Sequence, residues 1–236
     1  MKNLIVLALI VLASPLYAEF THTGEASVVL TGGNSQLSTY NFKTTNKYPF
    51  MEKYTLNFGG RYTLGDANDV IVARNWDANA KLDMRIFKGF GAFIGEKVEG
   101  DKFAGFELRV NTDVGISKTF IENKVHTLKS EFGYRNFYEK NVDPAVDSKN
   151  DHVGRLQLDY QFKEKGKYVF QTYIEYLPNF SETEDYLVNI GPSLTFSLSS
   201  MFSFKVGYEG RYDNQPAVTG NRKFDYLYTT SIISKL

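Results

Sequence analysis

The chain has 236 residues, 27 basic against 27 acidic side chains, and no cysteine. That balance excludes a nucleic-acid binder, which carries a basic surface. The missing thiols exclude a disulfide frame and any thiolate metal site.

The N-terminus opens with Met1-Lys2-Asn3, continues through an apolar run from Leu4 to Ala13, and reaches Ser14-Pro15-Leu16-Tyr17-Ala18, which resembles a signal-peptidase site. The run is shorter than the roughly 20 residues needed to span a bilayer. Residues 1–18 are therefore expected to be a cleaved signal and residues 19–236 the mature domain. Removing the leader takes away one lysine and no acid, which leaves 26 basic and 27 acidic residues.

No later segment is apolar enough for a transmembrane helix. The sequence instead breaks into alternating segments rich in Tyr, Phe, Val and Thr, as strands do. About twelve strands are predicted, near 24–32, 37–48, 53–64, 72–87, 89–99, 104–118, 124–139, 150–163, 167–177, 183–198, 201–213 and 222–235. In the fourth, Trp76, Ala78, Ala80, Leu82, Met84 and Ile86 alternate with Asp77, Lys81, Asp83 and Arg85. In the sixth, Phe106, Leu108, Val110, Thr112, Val114 and Ile116 oppose Glu107, Arg109, Asn111 and Asp113. The last strand sets Phe224, Tyr226, Tyr228, Thr230 and Ile232 on one face and closes the chain.

The predicted connections alternate in length. Pro49 to Glu52, Lys88, Thr119 to Asn123, Glu164 to Gly166 and Ser199-Ser200 are short. Gly65 to Ile71, Lys140 to Lys149 and Asn214 to Asn221 are longer. Short periplasmic turns opposite longer extracellular loops mark an outer-membrane barrel. Strands this long suit a tilted bilayer crossing, and aromatic residues gather at the strand ends as girdles do. The expected fold is an all-β, closed, up-and-down antiparallel transmembrane barrel of about twelve strands. Closure follows because lipid tolerates no unpaired strand edge.

If the apolar face meets lipid, the other face lines the lumen. Its candidates are Arg61, Asp77, Lys81, Asp83, Arg85, Glu107, Arg109, Asp113, Glu131, Arg135, Arg155, Asp159, Lys205, Glu209 and Arg211, with Glu25, Lys129 and Glu175 beside them. The two signs are nearly matched, unlike a strongly ion-selective pore. Matched charges can pair and fill the interior, or they can wall a narrow solute path, and the sequence leaves both open.

Catalysis lacks a constellation. Of three histidines, His22 precedes the first strand, His126 falls at a periplasmic strand end and His152 on a loop side. None sits in a Ser–His–Asn pattern like that of the outer-membrane phospholipases, so no enzymatic activity is expected. Asp66, Asp69, Asp143, Asp147, Glu182, Glu184 and Asp185 read as solvated loop charge, since their spacing matches no calcium loop. No cofactor is expected, and Gly32-Gly33-Asn34 reads as turn chemistry.

Three stretches carry a family resemblance: GEASVVLTGGNSQLSTYNFK from Gly24 to Lys43, GFELRVNTDVGISKTF from Gly105 to Phe120, and the closing strands from Phe202 to Ile232. Together they resemble the outer-membrane family of domain of unknown function 481, often labelled salt-induced outer-membrane proteins. The resemblance implies a bilayer-embedded barrel inserted by the general assembly machinery. It transfers no activity and no site. Two functions follow as expectations: a narrow solute channel or osmotic-stress barrel, and a plugged structural barrel whose loops bind partners.

Overall fold

The computed structural model describes residues 20–31, 37–67, 70–164, 166–182, 184–215 and 223–235. The expected leader, the Gly32-Gly33-Asn34 turn, Asp69 and most of the 214–221 loop lie outside the described residues. Every regular element is a strand: β1 (Thr21–Thr31), β2 (Leu37–Phe50), β3 (Tyr54–Ala67), β4 (Val70–Phe87), β5 (Phe90–Asp101), β6 (Phe106–Glu122), β7 (His126–Asn141), β8 (Lys149–Glu164), β9 (Tyr168–Pro178), β10 (Tyr186–Ile190), β11 (Ser193–Ser197), β12 (Phe202–Asp213) and β13 (Phe224–Lys235).

Consecutive strands pair antiparallel, and β13 returns to β1 from Thr23↔Lys235 to Ser27↔Ser231, which closes the wall. β10 and β11 both run between β9 and β12. They are two halves of one predicted strand, interrupted at Gly191-Pro192 because proline offers no N–H to a ladder. The thirteen elements thus make the expected twelve-strand antiparallel barrel. Among the described residues no helix is long and apolar enough to cross a membrane, and crossing falls to the strands. β4 has 18 residues and β6 has 17, more than the 9–11 that a tilted strand needs.

Side-chain direction follows from register. Away from the bulges, odd positions pair with odd around the wall, so odd side chains share one face. Even positions such as Phe42, Ile94, Val114 and Phe132 are exposed, Phe132 to 64%. Odd positions such as Glu131, Arg155, Ser203 and Ser231 are buried, Glu131 to 2%. Apolar groups outside and charges inside are the reverse of a water-soluble barrel and match a wall facing lipid.

Three expectations are corrected. The predicted loop from Gly65 to Ile71 is mostly strand: β3 runs to Ala67 and β4 begins at Val70, with a register shift between Gly65 and Asp66. The tenth strand begins at Tyr186, not 183. In the sixth, a shift between Phe106 and Leu108 rotates the backbone. A bulge's extra residue turns the faces over, so Phe106 is buried and Glu107 is exposed.

Candidate functional site

The interior is organised around Phe93 of β5, whose ring is 3% exposed. It rests on Gly115 and Gly133, a register pair of β6 and β7. A Cβ on either would stand 2.7 or 3.2 Å from Phe93 Cζ, so only glycine leaves room for the ring. Over the ring sit two cations, with Lys81 Nζ 4.6 Å and Arg155 Cζ 5.3 Å from its centroid. Cations over an aromatic face are attracted by its quadrupole.

From this platform an ion-pair network spreads across the lumen. Lys81 of β4 reaches Glu131 of β7, two strands beyond its neighbour's reach along the wall. Lys129 Nζ lies 2.8 Å from Glu131 and 3.3 Å from Asp83. Arg155 lies 2.7 Å from both Glu131 and Glu175. Arg135 holds Asp113 at 2.6 Å and Glu175 at 3.1 Å. Asn57 and Asn189 donate to Asp83 and Glu175 at 2.8 and 2.9 Å. Each carboxylate therefore has several donors, the condition under which buried charge is tolerated.

Three further groups surround this one. Arg61 of β3 bridges Asp77 and Glu209 of β12, both at 2.9 Å. Arg109 lies 2.6 Å from Glu139 and 3.3 Å from Glu99, with the Phe106 ring 3.8 Å from its guanidinium. Lys205 meets Glu25 at 3.0 Å, and the Ser231 hydroxyl donates to the same carboxylate at 2.7 Å.

The network does not fill the barrel. A cavity of about 370 Å³ lies beside it, lined by Lys43, Lys129, Asp159, Gln161, Gln171, Tyr173, Lys205 and Glu209 among others. Lys43 and Gln171 point inward yet are exposed, and the Glu209 side chain is 43% exposed, so open space surrounds them. Tyr173 packs its ring against Gly191, where any side chain would collide with it. A shallower hollow of about 640 Å³ on the outer wall, over Gly24, Ala26 and Gly60, faces the bilayer.

Most predicted lumen residues come together here. Arg61, Asp77 and Glu209 form one group; Lys81, Asp83, Asp113, Glu131, Arg135 and Arg155 form another. Arg109 and Lys205 join separate pairs, and Asp159 accepts from the Gln157 amide at 2.8 Å. Arg211 stands in register with Asp225 and makes no ion pair among the described residues. Two candidates lie elsewhere. Arg85 donates to the Glu52 carbonyl at 2.6 Å on an exposed turn. Glu107 meets Lys140 at 2.6 Å at the surface. Sequence reasoning overlooked Lys43, Phe93, Lys97, Glu99 and Glu139. Alternation with Phe42 could have found Lys43, but its strand, LSTYNFKTTNKYPF, is polar on both faces.

The histidines serve other ends. His22 pairs with Asn46 at 2.7 Å, His126 with the Tyr160 hydroxyl at 2.9 Å, and His152 with Tyr134. Among the described residues no group of three or more His, Asp or Glu is placed to hold a metal ion.

A family model described as "Protein of unknown function, DUF481" matches residues 24–235. Among solved structures, the chain is similar to the COG4313 outer membrane channel from Pseudomonas putida F1, at 9% identity and a TM-score of 0.55, over 95% of this chain and 97% of that one. It is also similar to the NanC porin, at 11% identity and a TM-score of 0.50, over 92% of this chain and 97% of that one. At such identities the likeness is one of fold. No curated protein matches the chain.

Proposed function

We propose, from the premise that this chain belongs to the DUF481 family, that it is an outer-membrane barrel passing small hydrophilic solutes through a narrow, eccentric lumen. The observation that carries this reading is the cavity of about 370 Å³ beside the cross-lumen ion pairs. The braces on the β4 to β9 side hold the wall rigid and limit the bore. The polar groups that line the cavity, Gln161, Gln171, Tyr173 and Thr229, can exchange hydrogen bonds with a solute as it sheds water. Because interior charge is nearly balanced, ion selectivity is expected to be weak. In this reading residues 1–18 are a removable leader, and insertion uses the general barrel-assembly machinery.

A second reading draws on the density of the same network: a plugged barrel whose extracellular loops meet partners. One experiment separates the two. Protein whose gel migration changes on heating, as a folded barrel's does, is reconstituted in a planar bilayer under a potassium chloride gradient. The channel reading expects discrete conductance steps with a reversal potential near zero. A folded barrel that never conducts would overturn it in favour of the plugged one.

A further inference from the structure

We propose that Lys43 and Asp159 bind the two ends of a small zwitterionic solute, an amino-acid-like molecule carrying one carboxylate and one ammonium. The inference rests on the channel reading and names the substrate class of the same cavity.

Five charged side chains line that cavity: Lys43, Lys129, Asp159, Lys205 and Glu209. Three are already engaged. Lys129 is held by Glu131 and Asp83, Lys205 by Glu25, and Glu209 by Arg61. Lys43 and Asp159 make no ion pair among the described residues. Among the described residues, Asp159 accepts only the Gln157 amide, at 2.8 Å. Lys43 rises from β2 and Asp159 from β8, strands well separated in the wall, so the two charges border one space from different sides.

A free cation and a free anion around one polar cavity select by charge. A simple anion satisfies Lys43 and meets Asp159 as a like charge, while a simple cation does the reverse. A neutral polyol leaves both charges to water. A zwitterion answers both at once, and the neutral groups beside Asp159 on β8 and β9, Gln161, Gln171 and the Tyr173 phenol, can donate to and accept from its middle. Both side chains face open space, so the solute replaces water and binds weakly. Weak binding suits a site that solute must also leave.

The test uses the full barrel in proteoliposomes. Swelling is followed in isosmotic 4-aminobutanoate and in erythritol, and the ratio of the two rates is read. Wild type should favour 4-aminobutanoate. Lys43→Met and Asp159→Asn should each lower the ratio about fivefold, the effect of losing one solvated ion pair, and Lys43→Arg should restore it. In a planar bilayer, Lys43→Met should move the reversal potential toward cations and Asp159→Asn toward anions. A conducting barrel whose ratio is the same in all four proteins overturns the zwitterion site and leaves the channel intact. If nothing passes, the channel reading itself fails. Titration calorimetry of detergent-solubilised barrel with 4-aminobutanoate then decides: heat lost in both variants upholds the site, and no heat in wild type overturns it.

Discussion

Two residues show how this wall treats charge. The outer face of β5 runs Phe90, Ala92, Ile94, Glu96, Val98, with Glu96 in register between Ala80 and Thr112. It makes no ion pair among the described residues. A cation on the lipid face at mid-bilayer costs about 2–4 kcal/mol and a carboxylate less. Glu96→Leu should therefore raise unfolding free energy in phospholipid vesicles by about 1 kcal/mol, read by urea titration. No gain would mean that something other than lipid covers this position. Inside, Arg155 is the hub of Glu131 and Glu175. Arg155→Met should cost about 1.5–3 kcal/mol, because Glu131 and Glu175 each lose one charged donor while Lys81, Lys129 and Arg135 remain. Adding Glu131→Gln should recover part of that loss; a purely additive double variant would contradict the coupled network.

At the scale of elements, the Met51–Lys53 turn between β2 and β3 stores strain. Met51 and Glu52 have φ of 49° and 54°, which costs an L-residue about 1–2 kcal/mol. Arg85 steadies the turn, its backbone N–H donating to the Lys53 carbonyl at 2.7 Å and its guanidinium to that of Glu52. Glu52→Gly removes one residue's strain but returns about 0.4–1 kcal/mol through a freer unfolded chain. The net expectation is a gain of about 0.5 kcal/mol in the same titration, and a loss would show the turn to be unstrained. This turn also marks what the sequence could reveal. Alternation and turn chemistry place Arg61, Lys81, Arg109 and Arg155 on one face. They do not reveal the bulge that exchanges Phe106 with Glu107, since an inserted residue leaves the alternating letters unchanged. Nor do they give Arg85 its turn, which depends on β4 extending past its neighbour's end.

At the scale of the whole molecule, strand count and closure were legible because lipid demands paired edges and an all-antiparallel meander closes on its first strand only with an even count. Which charges meet across the lumen was not, because Lys81–Glu131 and Arg61–Glu209 depend on strand stagger, which no local pattern encodes. Stagger also sets the seam. β12–β13 and β1–β2 each pair over eleven residues, whereas β1–β13 pair over five, ending at Ser27↔Ser231. Above that point β13 keeps β12 but, among the described residues, has no β1 partner, and Tyr228 borders the gap at 67% exposure. Alternate amides of a strand point to opposite neighbours. Among the described residues, every second amide of Leu227–Thr230 therefore lacks a strand acceptor, although apolar lipid penalises such groups by several kcal/mol. Those amides should exchange with deuterium well ahead of their alternates and of β6–β7 in bicelles. Uniform protection around the wall would mean that the bilayer zips the seam shut. Fast exchange confined to alternate positions would mean that water reaches the seam from the lumen side, where Thr229 already borders the cavity.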